Sequence, residues 1–361
     1  MLFYFFIIVI STFLAFVCRH SVERDQPLLL AILTVFIASF AGLRGVGTDF
    51  FNYADRFNSS ALIDKNDFSL IYIFMDLCKR LGFGYQFFIY VVSIITTVIV
   101  VYVFWKYRYM ISFPFAIFSY MLQFYQMSFN IFRQILAAAF FLLAVTKFGE
   151  KKYKQTIVFY IIGCLVHSSV VPFGLFFLVR KYLYEDKYLK KRMAVYAVVA
   201  ILVYNMPLYV QAMLNSLLSR FPHYGAYFAN FQYQHIGLGF FRYILLAIIP
   251  TVFITLSIRQ DNELREKYSN IQFCSFFSII GTELWMLSYV STAVIYRSGY
   301  TLLLALPILH GFFVKNVLPK YRIFVIVAFS VVLIYFWFYD YGILNSGETV
   351  PYVFGFLKQN Y

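Results

Sequence analysis

Charged side chains are scarce in this sequence of 361 residues: Asp, Glu, Lys and Arg make up only 13% of it, against about 25% in an ordinary soluble domain. This shortage excludes a soluble globular enzyme and a disordered chain. Of all residues, 62% are hydrophobic and 22% aromatic, which indicates a protein whose solvent is mostly lipid. Because a membrane-spanning helix needs about 20 apolar residues, the chain holds roughly ten to twelve of them and no separate soluble domain.

Motifs for metal, nucleotide and redox chemistry are also missing. The histidines form no HExxH, the acidic residues form no DxD triplet, and neither GxxxxGK[ST] nor GxSxG occurs. The cysteines form no CxxC pair, which argues against a metal or redox motif of that type. We therefore expect no metal and no cofactor, and a metal-dependent sugar-nucleotide site is not expected either. The cysteines are Cys18, Cys78, Cys164 and Cys274.

Basic residues are abundant, with 30 Lys and Arg against 16 Asp and Glu and a net charge of +14. In a membrane protein such an excess is typical of loops that fix orientation. No basic block forms a soluble patch, so nucleic acid is not an expected partner. The N-terminal stretch MLFYFFIIVISTFLAFVCRH lacks a basic start and a small-residue cleavage site. We interpret it as a retained first helix rather than a signal peptide.

Hydrophobic periodicity predicts an all-α, polytopic membrane protein with a single transmembrane domain over residues 1–361. One apolar stretch, 155–180, is interrupted by His167, Ser168 and Ser169 and has lysine and arginine clusters on both sides. Both clusters favour the cytoplasm, which predicts a hairpin of two short helices that turns at these three residues. With this hairpin the prediction is twelve helices, with both termini outside. The other predicted spans are 2–18, 27–43, 85–105, 111–128, 131–147, 193–213, 240–258, 269–290, 297–313 and 321–339.

Three segments are predicted to lie on the outer face. The first, 44–84, contains an amphipathic helix suited to the membrane interface. The second, 214–239, is a loop rich in aromatic residues, and the third, 340–361, is the C-terminal tail. The apolar residues at helical spacing in the first segment are Phe68, Ile71, Phe74, Met75 and Cys78.

The strongest local signal is LRGVGTDFFNY, residues 43–53, directly after the second predicted span. Gly45 and Gly47 allow a tight backbone turn, and Arg44 and Asp49 bracket that turn at the membrane boundary. One interpretation is a helix end with a boundary arginine and a capping residue. The other is a functional site, in which Arg44 binds an anionic headgroup and Asp49 is a base or a substrate ligand.

A second signal is SFNIFRQILAAAFFLLAV, in which Arg133 enters an otherwise apolar helix. A buried arginine is expensive in lipid and usually faces a cavity or a partner. Asn130 and Gln134 lie on the same helical turn or close to it. The pattern favours a functional role, and the alternative is an arginine that snorkels to the outer interface.

Further candidates lie in later segments. His167, at the apex of the predicted hairpin, is a proton acceptor, a donor to phosphate, or a histidine satisfied by backbone groups. Arg242 and Arg297 stand at the outer starts of apolar helices, either as boundary anchors or as ligands. Glu283 is an acid inside a predicted span, where it pairs with an arginine or binds substrate.

Four arginines and one histidine share the same depth near the outer face in the predicted topology. Guanidinium groups pair bidentately with phosphate oxygens and stay charged at any working pH. Their convergence indicates a site for a lipid-linked phosphate or pyrophosphate. We expect a tunnel or cleft open to the outer leaflet, lined by Arg44, Arg133, His167, Arg242 and Arg297.

Four stretches resemble the EpsG-like branch of the Wzy-type polysaccharide polymerases: RGVGTDFFNY, NIFRQILAAAFF, the histidine in CLVHSS, and VPY in the late tail. The resemblance implies a GT-C type glycosyltransferase of the bacterial inner membrane that polymerises O-antigen (lipopolysaccharide), capsule or exopolysaccharide. Its substrates are repeat units on undecaprenyl pyrophosphate at the periplasmic face. Membrane lipid and a chain-length regulator protein are the further expected partners.

The resemblance also implies a chemistry, in which a sugar hydroxyl attacks the anomeric carbon and lipid pyrophosphate leaves. Fixed guanidiniums stabilise the growing charge of the leaving group and replace a metal ion. Asp49 or His167 is the expected base. We assign catalytic roles to Asp49, His167 and Arg133, and substrate binding to Arg44, Tyr53, Asn130, Gln134, Arg242, Arg297 and Glu283.

Other functions use the same intramembrane charges. A flippase or ion-coupled transporter would show internal pseudo-symmetry between halves, and none is visible in the sequence. A ligase that moves finished glycan to another acceptor shares the pyrophosphate chemistry and stays open. A membrane acyltransferase more typically shows a histidine and an acid in a larger loop.

Overall fold

The computed structural model of the protein describes residues 1–59, 69–178, 241–242, 244–259, 268–286 and 293–358, together with five single positions, Lys191, Ala194, Ala197, Val198 and Ser216. Within these ranges the chain is all-helical and contains no strand, which confirms the predicted all-α class. Nearly all of the predicted aromatic loop 214–239 and of the predicted span 193–213 falls outside the described residues. The count of twelve spans stays a prediction.

The α-helices of the described ranges are numbered here in chain order. They are α1 Leu2–His20, α2 Gln26–Gly42, α3 Thr48–Asn58, α4 Leu70–Arg80, α5 Tyr85–Lys106, α6 Phe113–Tyr120, α7 Phe132–Gly149, α8 Tyr153–Val166, α9 Ile249–Arg259, α10 Ser269–Met286, α11 Ala293–Leu303, α12 Leu306–Asn316 and α13 Pro319–Trp337. The shorter π-helical and 3₁₀ segments are Met121–Tyr125, Met127–Phe129, Ser168–Gly174, Ile244–Ile248, Phe338–Ile343 and Gly355–Lys358.

Five helical stretches of the described chain are long and apolar enough to cross a membrane: Leu2–His20, Tyr85–Lys106, Phe132–Gly149, Ser298–Asn316 and Pro319–Ile343. In the most apolar part of Leu2–His20 and Pro319–Ile343, only 33% and 22% of the residues are buried, against 78% in Phe132–Gly149. The first and last of these stretches therefore lie at the periphery of the described helices, and α7 lies at their centre. This matters for the site, because Arg133 stands in the first turn of α7.

The predicted break at 167–169 is present in the described residues 155–178, and the chain folds back after it, since the ring centres of Tyr160 and Phe177 lie 5.9 Å apart. Helix α8 ends at Val166, His167 has an extended backbone with φ −155°, and a 3₁₀ segment begins at Ser168. Pro172 lies inside this segment. It has no N–H to donate to the carbonyl four residues earlier, so an α-helix could not run straight through the turn.

In the described part of the segment 44–84, residues 44–59 and 69–84, there are two helices where the sequence predicted one. The predicted amphipathic helix is present as α4, with Ile71, Met75 and Cys78 buried. Helix α3, which the sequence analysis did not predict, precedes it and buries Phe50 and Phe57.

The predicted span 297–313 is interrupted. It consists of α11 and α12, with a turn at residues 304–305. Pro307 stands in the first turn of α12. Because proline lacks an amide hydrogen, it breaks the helical hydrogen-bond ladder at this point and begins a new helix instead.

Candidate functional site

The two motifs singled out in the sequence meet at the start of α7. Gly47, just before α3, has a positive φ of 105°. The backbone N–H of Thr48 donates to Asn130 Oδ1 at 2.9 Å, and Thr48 Oγ1 donates to the same oxygen at 3.3 Å. A Cβ at position 47 would lie only 2.9 Å from that oxygen. Glycine is therefore what allows the first motif to approach the second so closely.

Gly47→Ala is expected to separate the two motifs and to lower the melting temperature of the detergent-solubilised protein by several degrees. A left-handed backbone costs a residue with a Cβ about 1–2 kcal/mol, and the added carbon also displaces Asn130. The matched control is Gly84→Ala, since Gly84 has φ −79° and a Cβ there would meet no atom within 4 Å. Equal melting temperatures for the two variants would show that the close approach at Gly47 is not needed.

Arg133 provides a second contact between the two motifs. Its Nη1 donates to the Tyr53 hydroxyl at 3.1 Å and also to the Tyr72 hydroxyl. Its guanidinium carbon lies 4.6 Å from the centre of the Tyr72 ring and 5.9 Å from that of Tyr53, which is within the range of a cation–π interaction. Tyr53 belongs to α3 and Tyr72 to α4, so both helices of the outer segment contribute to the surroundings of Arg133.

A second arginine, Arg56, binds the same tyrosine. Its Nη1 donates to the Tyr72 hydroxyl at 2.9 Å. The guanidinium carbons of Arg56 and Arg133 lie 3.9 Å and 4.6 Å from the centre of the Tyr72 ring, and therefore no more than 8.5 Å from each other. We call Tyr53, Arg56, Tyr72 and Arg133 the two-arginine cluster. Two permanent positive charges at this distance can bind the oxygens of one phosphate or diphosphate group together.

His167 lies close to the start of α4. The Ser69 hydroxyl, which caps α4, donates to the carbonyl oxygen of Val166 at 2.8 Å. His167 Nδ1 accepts from the backbone N–H of Ser169 at 3.1 Å, so the proton of the neutral ring is on Nε2. Ser169 Oγ lies 3.1 Å from Thr301 Oγ1 on α11. These contacts connect the apex of the hairpin to α4, the helix that contains Tyr72.

Arg44 lies inside the protein. It is 1% exposed, and its Nη1 donates to the carbonyl oxygen of Ala41 and, at 3.4 Å, to Ser93 Oγ. Its Nη2 donates to the carbonyl oxygen of Phe129 at 3.5 Å. In this geometry Arg44 binds protein oxygens at the end of α2, which corresponds to the helix-end interpretation of the first motif.

The three remaining polar candidates differ in how far their side chains are exposed. Asp49 is half-buried in the first turn of α3, one residue after Thr48. Gln134 on α7 and Glu283 on α10 are buried, with 2% and 4% exposure. Asp49 is thus the acid of this set that is nearest to the two-arginine cluster along the chain.

Arg242 is paired with an acid that the sequence analysis did not select. Its Nη1 donates to Asp340 Oδ2 at 2.6 Å, and the two side chains are 19% and 23% exposed. Arg297 lies in α11, one helical turn before Thr301, and its side chain is outside the described residues. The structure therefore unites Tyr53, Asn130 and Arg133, ties His167 to the same region, and gives Arg242 a separate partner.

Arg56 could have been found from the sequence. Phe50, Tyr53 and Phe57 recur at i, i+3 and i+7, which is an amphipathic pattern, and Arg56 stands three residues after Tyr53. The glycines at the start of the motif predict a turn, but they do not predict the helix that follows it. Among the described residues, no three His, Cys, Asp or Glu side chains lie close enough together to hold a metal ion.

The model of the EpsG family matches residues 27–354, a range that includes both motifs, the hairpin and the C-terminal tail as far as residue 354. No curated protein and no solved structure matches the chain.

Proposed function

The chain belongs to the EpsG family, and on this premise we propose that it is a membrane glycosyltransferase that polymerises oligosaccharide repeat units linked to undecaprenyl pyrophosphate. The reaction takes place at the periplasmic face of the inner membrane and supplies O-antigen, capsule or exopolysaccharide. A GT-C-like arrangement of twelve spans is part of the proposal. Family membership and the long apolar helices support its coarser part, a membrane protein of the polysaccharide-polymerase type.

The observation that carries the proposal is the two-arginine cluster. Both motifs of the family resemblance contribute to it, through Tyr53 and Arg133. In the proposed reaction a sugar hydroxyl of the incoming unit attacks the anomeric carbon of the growing chain. The bond from that carbon to the diphosphate oxygen breaks, and negative charge accumulates on the leaving lipid diphosphate. Arg56 and Arg133 stabilise this charge more strongly in the transition state than in the ground state.

The hydrogen bonds of His167 support different roles for the two candidate bases. Its Nδ1 accepts from the Ser169 amide, so in the neutral ring the other nitrogen, Nε2, is a donor. His167 is therefore suited to donate to a diphosphate oxygen. Asp49 then accepts the proton of the attacking hydroxyl.

A reconstituted reaction tests the proposal. The purified protein in liposomes is supplied with a lipid-diphosphate-linked repeat unit, and products are separated on a gel. We expect a ladder of lengthening chains and release of free lipid diphosphate. Movement of the lipid across the bilayer without a ladder would instead identify a flippase, and a single transfer to a different acceptor would identify a ligase.

The opposite end of α7 supports the proposed orientation. Glu150 lies 3.3 Å from Lys106, 3.3 Å from Lys147 and 2.9 Å from Lys152. Burial opposes ionisation of Glu150, but the hydrogen bonds from these lysines outweigh it and lower the pKa of the carboxyl group. Arg133 and Lys147 lie toward opposite ends of α7, about 21 Å apart along the helix, which supports a site that faces away from the lysine-rich side.

Cysteine labelling of intact cells is expected to separate these two ends. Ser346→Cys, on the exposed surface of the C-terminal tail, should react with a membrane-impermeant maleimide from outside, and Lys154→Cys, exposed at the start of α8, should react only after lysis. The physical reason is that basic clusters remain in the cytoplasm. The parent protein with its native cysteines serves as the blank. Labelling of Lys154→Cys in intact cells would contradict the proposed orientation.

A further inference from the structure

The ion pair between Arg242 and Asp340 lies in an aromatic slot. The distance from Arg242 Nη1 to Asp340 Oδ2 is 2.6 Å. The guanidinium carbon is 5.5 Å from the centre of the Trp285 ring and 5.2 Å from that of Phe336. Two rings and one carboxylate thus surround the arginine head, so its charge is balanced within the protein.

Both partners stand at irregular turns. Arg242 lies two residues before the π-helical turn Ile244–Ile248, and Asp340 lies within the π-helical turn Phe338–Ile343 that follows α13. Such turns are rare and occur frequently at functional sites. The carbonyl oxygen of Asp340 also accepts from the backbone N–H of Ser346 at 2.9 Å. The pair therefore fixes the point at which the chain leaves the helix and enters its C-terminal tail.

Within the C-terminal tail, residues 345–355 pack directly on the first motif. The carbonyl oxygen of Gly347 accepts from the backbone N–H of Thr48 at 3.2 Å, and Thr48 is the residue that contacts Asn130. Further along, Gly45 N–H donates to the Val353 carbonyl at 2.7 Å. The tail thus forms one wall of the corner at which the two motifs meet.

Thr349 anchors the middle of the tail inside the bundle. It is 0% exposed. Its hydroxyl accepts from Gln126 Nε2 at 3.1 Å, and its carbonyl oxygen accepts from the Tyr4 hydroxyl at 2.6 Å. The burial of this one side chain is therefore a direct measure of whether the tail is docked.

We propose that Arg242 and Asp340 are a positioning pair, whose ion pair docks the C-terminal tail and so holds the Thr48–Asn130 corner in place for Arg133. The contacts form a continuous path from Arg242 through Asp340, Ser346 and Gly347 to Thr48. This assigns Arg242 a role through the tail and not in substrate binding. Only the activity readout of the test rests on the proposed function, since tail docking is measured without substrate.

The test uses Thr349→Cys as a reporter in the full-length, detergent-solubilised protein. A maleimide is added and the rate of labelling is compared with that of Ser346→Cys, an exposed position on the same tail. In the otherwise unchanged protein we expect the reporter to be protected. In Asp340→Asn and in Arg242→Gln it should be labelled at least about tenfold faster, because a half-buried charge that has lost its counter-ion weakens docking. Long glycan chains should be lost in parallel.

The charge swap Arg242→Asp/Asp340→Arg decides between the two roles of Arg242. If the pair acts by positioning, the swap restores both protection of Thr349→Cys and long chains. Protection without long chains would mean that Arg242 itself contacts substrate, and it would overturn the proposal. A reporter that stays protected in Asp340→Asn would overturn it as well. A single variant that does not accumulate leaves the swap as the test. A protected Thr349→Cys reporter in the swap then supports the ion pair, and an unprotected reporter contradicts it.

Discussion

Arg133→Ala is expected to abolish long glycan chains while the protein still inserts into the membrane at normal levels. Removing one charged contact to the leaving diphosphate should raise the barrier by about 2–4 kcal/mol and slow the reaction by about 10²–10³. Arg133→Lys should restore activity only in part, because an ammonium group cannot form the bidentate fork of a guanidinium. The assay is a gel ladder of lipid-linked or surface glycan, with the amount of membrane protein measured in parallel.

We expect the protein to tolerate this change, because one of the two hydroxyl groups that Arg133 binds keeps another donor. Arg133 is half-buried, and the Tyr72 hydroxyl keeps its hydrogen bond from Arg56. Arg56→Ala should shorten the chains in the same direction. The matched control is Arg108→Ala, an arginine that also lies on aromatic rings, 4.5 Å from Trp105 and 4.3 Å from Tyr109. A normal ladder from Arg133→Ala would reject its catalytic role, and loss of protein would indicate a folding role.

Local patterns predicted much of the fold. The spacing of Ile71, Met75 and Cys78 predicted α4 and its buried face, because burial follows helical periodicity. The polar residues at 167–169 predicted the break in the hairpin, since polar backbone at membrane depth must be satisfied within protein. Helix α3 was missed because the glycines before it predict a turn and do not reveal the length of the helix that follows.

The partners of the site residues could not be predicted in the same way. Arg242 pairs with Asp340, and Tyr72 brings Arg56 and Arg133 together. These residues are far apart in the chain, and composition and periodicity contain no information about which elements meet. The sequence indicated which residues are unusual in lipid, but only the packing distinguishes a half-buried arginine that binds tyrosine hydroxyls from a buried one that binds protein carbonyls.

Arg44 is the clearest example of an arginine that binds protein carbonyls. Arg44→Ala is expected to reduce the amount of folded protein. Ala41 lies in the last turn of α2, where carbonyl groups have no partner within the helix. The Arg44 guanidinium supplies one and places a positive charge at the negative end of the helix dipole. Without it, the carbonyl groups of Ala41 and Phe129 lose their donor, and each unsatisfied buried group costs about 1–3 kcal/mol.

The measurement is the recovery and melting temperature of detergent-solubilised Arg44→Ala, compared with Arg133→Ala at the same expression level. We expect low recovery and early melting for the first variant, and near-normal values for the second. Arg44→Lys should recover only in part, because a single ammonium group cannot reach the carbonyl groups on both sides of the guanidinium. A stable, well-expressed Arg44→Ala protein that makes no long chains would instead place Arg44 among the residues that contact substrate. The contrast between the two arginines thus separates a charge that completes a helix end from one that acts on a leaving diphosphate.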